Sequence, residues 1–176
     1  MKRFVSVLLS MLALSIEATY YEDCGSVSGT VESVDVSGCK EDYRCDLIMG
    51  EEQTITIKFK SKVPSKSITA KCSAILFNTR RVNIPLNNTN GCKSGISCPV
   101  QKNKDYTYTE TLDIPSGFPT LSFDVIYELL EENKTDVVCV KIPSKLESKE
   151  GGTAEPQRHI DDSFWSRFIH NSVPLN

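Results

Sequence analysis

The chain has 176 residues, of which 39% are hydrophobic and 24% charged, and a formal net charge of −3. That length suits one domain with an appendage, and the composition excludes a wholly disordered chain and a polytopic membrane protein. A negative balance argues against nucleic-acid binding by bulk electrostatics. Two histidines leave little material for imidazole catalysis or a metal site, while seven cysteines point to an oxidising compartment.

The chain opens on Met1-Lys2-Arg3 and continues with an apolar run from Phe4 to Ile16, broken only by Ser6, Ser10 and Ser15. Basic start, short apolar stretch and small Ala18 read as a secretory signal peptide over residues 1–18, too short for a membrane span. The mature protein is expected to be secreted and soluble.

From Val27 to Ile142 the hydrophobic period is close to two, which is the signature of half-buried strands. Val27 and Val31 are in step near the start, but Val34 and Val36 are not, which predicts a bulge. Ile55, Ile57 and Phe59 alternate with Thr54, Thr56 and Lys58. Ile68, Ala70, Cys72, Ala74 and Leu76 repeat the pattern, followed by Val82, Ile84 and Leu86. Leu121, Phe123, Val125, Tyr127 and Leu129 form the next run, and Val138, Val140 and Ile142 close the series. Turn-rich sequence separates the runs, and no ten-residue segment carries a helical stripe. About seven strands in roughly 120 residues predict an all-β, immunoglobulin-like antiparallel sandwich, although the central tryptophan of that family is missing.

The cysteines, at 24, 39, 45, 72, 92, 98 and 139, allow on the order of a hundred pairing schemes. Spacing suits local staples at Cys39–Cys45 and Cys92–Cys98. Cys24 and Cys139 would then tie the start of the domain to its end, leaving Cys72 over. Inside the domain no C-x-x-C pair or histidine supports a metal.

Three segments carry a resemblance: Asp23-Cys24-Gly25-Ser26-Val27, Gly91-Cys92-Lys93-Ser94-Gly95-Ile96-Ser97-Cys98-Pro99, and Gln101 to Tyr108. Together they look like the lipid-recognition (ML) family, most of all its secreted sterol-transfer branch. The resemblance runs from about residue 22 to 143 and covers all three bridges. It implies a sandwich whose sheets splay to hold a sterol, a fatty acid or another apolar lipid in a cavity. Carried over position by position, the ligand-lining sites fall on Val36, Leu47, Ile55, Val82, Ile84, Leu112, Ile114, Phe118, Leu121, Phe123, Tyr127 and Val140, with Pro119 at the rim. Ile84 and Val140 stand where the family commonly places aromatic rings, and Phe118 stands in place of a tyrosine, which favours flexible acyl chains about as well as rigid sterols. The resemblance implies a carrier that acts outside the cell or in the endosomal or lysosomal lumen; the alternative is a lipid-sensing recognition protein acting through a receptor. An extracellular adhesion-type sandwich with a filled core is the third reading.

Lys58, Lys60, Lys62 and Lys66 form a basic run in an otherwise acidic chain, read either as a solvated face or as a contact for an anionic membrane or an acceptor membrane protein. Asn87-Asn88-Thr89 and Asn133-Lys134-Thr135 are N-glycosylation sequons, marking Asn87 and Asn133 as acceptors. The domain is thus expected over residues 19–143. Residues 144–176 read as a flexible tail whose Phe164, Trp165, Phe168 and Ile169 gather on one face of a short amphipathic helix. Both histidines fall in this tail, and the domain shows no Ser-His-Asp set or nucleotide loop, so no catalysis, no cofactor and no nucleic-acid partner are expected. A monomer is expected.

Overall fold

The computed structural model describes residues 18–39 and 43–149. Residues 1–17 of the expected signal peptide and the amphipathic part of the expected tail lie outside those residues. Nine strands are described: β1 (Glu22–Asp23), β2 (Gly29–Val36), β3 (Cys45–Ile48), β4 (Glu52–Ser61), β5 (Thr69–Leu76), β6 (Arg80–Ile84), β7 (Asp105–Asp113), β8 (Leu121–Leu130) and β9 (Asp136–Glu147). Among the described residues one 3-10 turn, Gly91–Lys93, interrupts them. One sheet runs β1-β9-β8-β5-β6 with β3 added beside β9, and the other runs β2-β4-β7. This is the two-sheet, immunoglobulin-like sandwich that the alternation implied.

Alternation sets the faces as expected along β4, where Gln53, Ile55, Ile57, Phe59 and Ser61 are buried and Lys58 and Lys60 are exposed. The out-of-step valines mark a real irregularity, because the β2–β4 register shifts between Val31 and Ser33. Val27 is a different matter: it lies before β2 and is 70% exposed. At Gly29 the backbone approaches β9 so closely that a Cβ would sit 2.3 Å from the Val137 carbonyl oxygen, so only glycine opens this strand.

Three features depart from the expected plan. β3 pairs in parallel with the end of β9, Leu47 beside Leu146. β9 continues through Ser144 to Glu147, so the first residues assigned to a tail are strand, with Ser144 and Leu146 buried. β7 carries Glu110 in its inward row of Tyr106, Tyr108 and Leu112; its outward face is Thr107, Thr109 and Thr111, and hydroxyl pairs tie it to β4, Thr54 to Thr111 at 3.0 Å and Thr56 to Thr109 at 3.5 Å.

The bridges Cys24–Cys139, Cys39–Cys45 and Cys92–Cys98 are closed, and Cys72 is free and buried. Burial, with Glu128 adding to it, pushes the Cys72 thiol up to about 12, which makes it an inert core residue. The main core gathers Ile57, Phe59, Ile68, Ile96, Val100, Leu129 and Val138 between the sheets at one end of the sandwich. The other end is hollow.

Candidate functional site

Cross-strand registers show how the hollow is built. In the larger sheet one inward row holds Leu47, Leu146 and Leu121, and the next holds Cys45, Ser144, Phe123 and Leu76. Then come Ile142, Val125, Ala74 and Val82, and finally Tyr127, Cys72 and Ile84. Each of these residues lines one cavity of about 120 Å³, while the next row, Val138, Leu129 and Ala70, does not. The smaller sheet contributes Val36, Gln53, Ile55, Leu112 and Asp113, and the segment after β7 adds Ile114, Pro115 and Phe118. Tyr127 and Cys72 thus form a floor beneath which the core is packed solid. Exposed or half-exposed lining at Ile84, Leu112, Asp113, Pro115, Phe118 and Leu121 places the mouth between the outer edges of β6 and β7 and at the loop following β7.

Of the thirteen residues that the resemblance assigned to the ligand, the structure gathers all but two around this cavity. Val140 is fully buried against the core and does not line it. Pro119 also lies off the lining, half-buried next to Phe118. Sequence reasoning missed Ala74, Leu76, Val125 and Ile142, although alternation already turned them inward. It had no signal for Gln53 and Ser144, two polar residues in an apolar wall. Gln53 is buried and accepts a hydrogen bond from the Ser37 hydroxyl at 3.2 Å.

The floor is joined to a polar network. The Tyr127 and Tyr108 hydroxyls lie 2.7 Å apart, and neither side chain is exposed. Burial raises the pKa of both; Tyr108 is pushed up to about 12 and Tyr127 is raised as well, so both stay protonated phenols. Beyond Tyr108 the buried Glu110 carboxylate accepts from the Ser94 hydroxyl at 2.8 Å and the Asn88 amide at 3.1 Å.

The lysine run sits elsewhere. Along β4 the cavity is lined at Gln53 and Ile55, whereas Lys60 lies five residues beyond Ile55, about 17 Å away at about 3.4 Å per residue. Lys60 is also ion-paired, with Asp105 at 3.2 Å and Glu32 at 3.8 Å. The run therefore does not ring the mouth. What stands near the mouth is the β5–β6 hairpin, whose turn closes through the Thr79 amide donating to the Leu76 carbonyl at 3.1 Å. Its central residues Phe77 and Asn78 have φ of 52° and 59°, a left-handed pair usually left to Asn-Gly. Phe77 is 67% exposed there.

Both sequon asparagines are exposed and hydrogen-bonded. The Asn87 side-chain amide donates to the Thr111 carbonyl at 3.1 Å, and that of Asn133 donates to Glu131 at 3.2 Å in the β8–β9 turn.

Comparison with known proteins decides the family, since the ML-domain family model matches residues 18–146. The chain belongs to the ML-domain family. Among relatives of this ML domain, the mouse (Mus musculus) NPC intracellular cholesterol transporter 2 is 35% identical over 150 residues, covering 83% of this chain and 99% of its own. The ecdysteroid-regulated 16 kDa protein of Manduca sexta is 32% identical over 142 residues, covering 80% and 97%. The crystal structure of a Niemann-Pick type C2 protein from the Japanese carpenter ant superposes on this ML domain with a TM-score of 0.68 at 30% identity, covering 73% of this chain and 99% of that one.

Proposed function

We propose that this ML domain is a secreted carrier that takes up an apolar lipid between its two sheets, keeps it soluble and hands it on. The observation that carries the reading is the cavity. An antiparallel sandwich of this size normally fills its interior to crystal-like density, yet here aliphatic and aromatic side chains of both sheets enclose about 120 Å³ of open space. Relatives named as intracellular cholesterol transporters support a lipid as the occupant. Burial of apolar ligand surface, at about 25 cal/mol per Å², supplies the affinity without directional bonds.

The volume sets a condition on loading. Pockets for ligands of this class run to about 300–1,000 Å³, so the sheets separate as the lipid enters. Among the described residues no strand ladder joins β6 to β7, so separation there costs the Asn87 side-chain bond to the Thr111 carbonyl rather than a row of sheet hydrogen bonds. Transfer then proceeds by contact of the mouth with a membrane, led by the exposed Phe77 tip. The secreted setting includes the endosomal and lysosomal lumen.

The test is mass spectrometry of organic extracts from the secreted, purified protein, paired with fluorescent-lipid transfer between vesicles. Recovery of a stoichiometric sterol, fatty acid or related lipid, with protein-dependent transfer, is the expected result. An extract without lipid and a protein that binds no apolar probe would return the sandwich to a non-carrier role.

A further inference from the structure

β9 ends at the mouth of the cavity. The Met49 amide donates to the Glu147 carbonyl at 2.9 Å, the Gly50 amide to the Ile114 carbonyl at 2.8 Å, and the Ile114 amide to the Glu51 carbonyl at 2.9 Å. Ile114 lines the cavity, and so does Leu146, one residue before Glu147. Lys149 then pairs with Glu51 at 3.1 Å, which places the last described residue at the rim.

The chain that continues from this rim carries an apolar group. Phe164, Trp165, Phe168 and Ile169 have spacings that gather on one helical face, and the first of them stands 15 residues beyond Lys149. Fifteen residues reach up to about 50 Å at about 3.3 Å each, ample for a return to the rim. A tether of that length holds its end at an effective concentration on the order of a millimolar.

The cavity has the size of one ring. It measures about 120 Å³ and is walled by aliphatic and aromatic side chains; a dry apolar cavity of about 150 Å³ takes up benzene. Around it Ile84, Leu112, Phe118 and Leu121 are only half-buried and Pro115 is exposed. Charge agrees as well, since the charged residue of the lining is the exposed carboxylate Asp113 and the apolar group encloses Arg167.

Resting on the carrier reading, we propose that residues 164–169 are the cavity's own stopper. In the lipid-free protein one aromatic ring of this segment enters the cavity, the others cover the apolar rim, and incoming lipid drives them out. The chain thus carries an internal competitor of its cargo. Run in reverse, the return of the ring assists release.

The test uses the full-length secreted protein, stripped of lipid on a hydrophobic resin. Tryptophan emission reports Trp165 alone, because the chain has one tryptophan. Emission is expected to be blue-shifted and protected from iodide, and to become solvent-like when oleate or cholesterol is added. Ala74→Leu, which fills the cavity, should expose Trp165 without lipid. A segment seated in about nine molecules of ten leaves a tenth open, so joint Phe164→Ser, Trp165→Ser and Phe168→Ser changes should tighten binding of a dansyl-labelled fatty acid about tenfold. Solvent-like emission from the lipid-free native protein overturns the stopper, and so does shielding that survives Ala74→Leu. Shielding that needs vesicles or rises with protein concentration overturns it in favour of a membrane contact or a second copy. An unchanged fatty-acid affinity in the triple variant overturns it too. Shielding of Trp165 in a protein that binds no lipid probe, native or variant, leaves the segment seated and overturns the carrier reading instead.

Discussion

Filling the hollow should stabilise the protein and silence it. Ala74 lies in the middle of the cavity wall, paired with Val82 on one side and Val125 on the other, and is 7% exposed. At about 24 cal/mol per Å³ of unfilled volume, the space of 120 Å³ costs about 3 kcal/mol of stability. Ala74→Leu puts three carbons into that space. Recovering a third to a half of the cost gives about 1–1.5 kcal/mol, or a rise of about 3–6 °C in Tm for a domain of this length. Lipid affinity should fall at least tenfold, because the added side chain occupies the place of the cargo. Thermal and urea unfolding, measured beside displacement of a fluorescent lipid, give both numbers. In a filled core the same change overpacks and costs about 1–3 kcal/mol. A destabilised Ala74→Leu protein would therefore refute the hollow interior, and a stabilised one that still binds lipid would place the cargo somewhere else.

Further outcomes follow from the same geometry. Ile84→Asp and Ile114→Asp, both on the lining, should abolish lipid binding with far-UV circular dichroism and secretion retained, since water can reach a charge near the mouth; loss of folding would indicate a dry, packed wall. Phe77→Ser should slow transfer to anionic vesicles, whereas joint Lys58→Ala, Lys62→Ala and Lys66→Ala changes should leave the transfer rate unchanged; the reverse pattern would move the membrane contact to the far end of β4. Burial, with repulsion from Glu128, raises the Asp136 carboxyl above its ordinary value, and its Oδ1 is buried without a partner. The folded state thus holds that proton more tightly than the unfolded chain does, so stability is lost as pH rises from the ordinary carboxylate value of about 3.9 through the raised one. Asp136→Asn should accordingly raise Tm at pH 7 and have little effect below about pH 3.5, measured by melts across pH.

How much of this was legible in the sequence depends on how far each signal reaches along the chain. The strands β4, β5 and β8 announce themselves because each buries one face, and period-two alternation follows directly from that. The β2 bulge was legible for the same reason, as a phase slip among valines. β7 was not, because Glu110 breaks its inward row of Tyr106, Tyr108 and Leu112 with a charge. β3 is four residues between a disulfide and a turn, and its parallel pairing depends on a partner a hundred residues away. The end of β9 was hidden by the polar sequence from Ser144 and Lys145 onward, although Ser144 and Lys145 pair with Phe123 and Ser122 within the strand. Least legible of all was the hollow. Ala74 and Ala70 have the same parity and the same chemistry, yet one lines open space and the other packs core, a difference in sheet separation that no local pattern encodes.

The bridge between Cys24 and Cys139 spans 115 positions and encloses nearly the whole sandwich. Every turn from the first strand to the last lies inside that covalent ring, including the exposed hairpin tip at Phe77 and the β8–β9 turn at Asn133. A protease that cuts one of these turns opens the ring and releases no fragment. The two halves of the wall stay joined, the sheets stay paired, and the cargo keeps its shelter. In a compartment full of hydrolases, a single nick would be visible on a reducing gel and nowhere else.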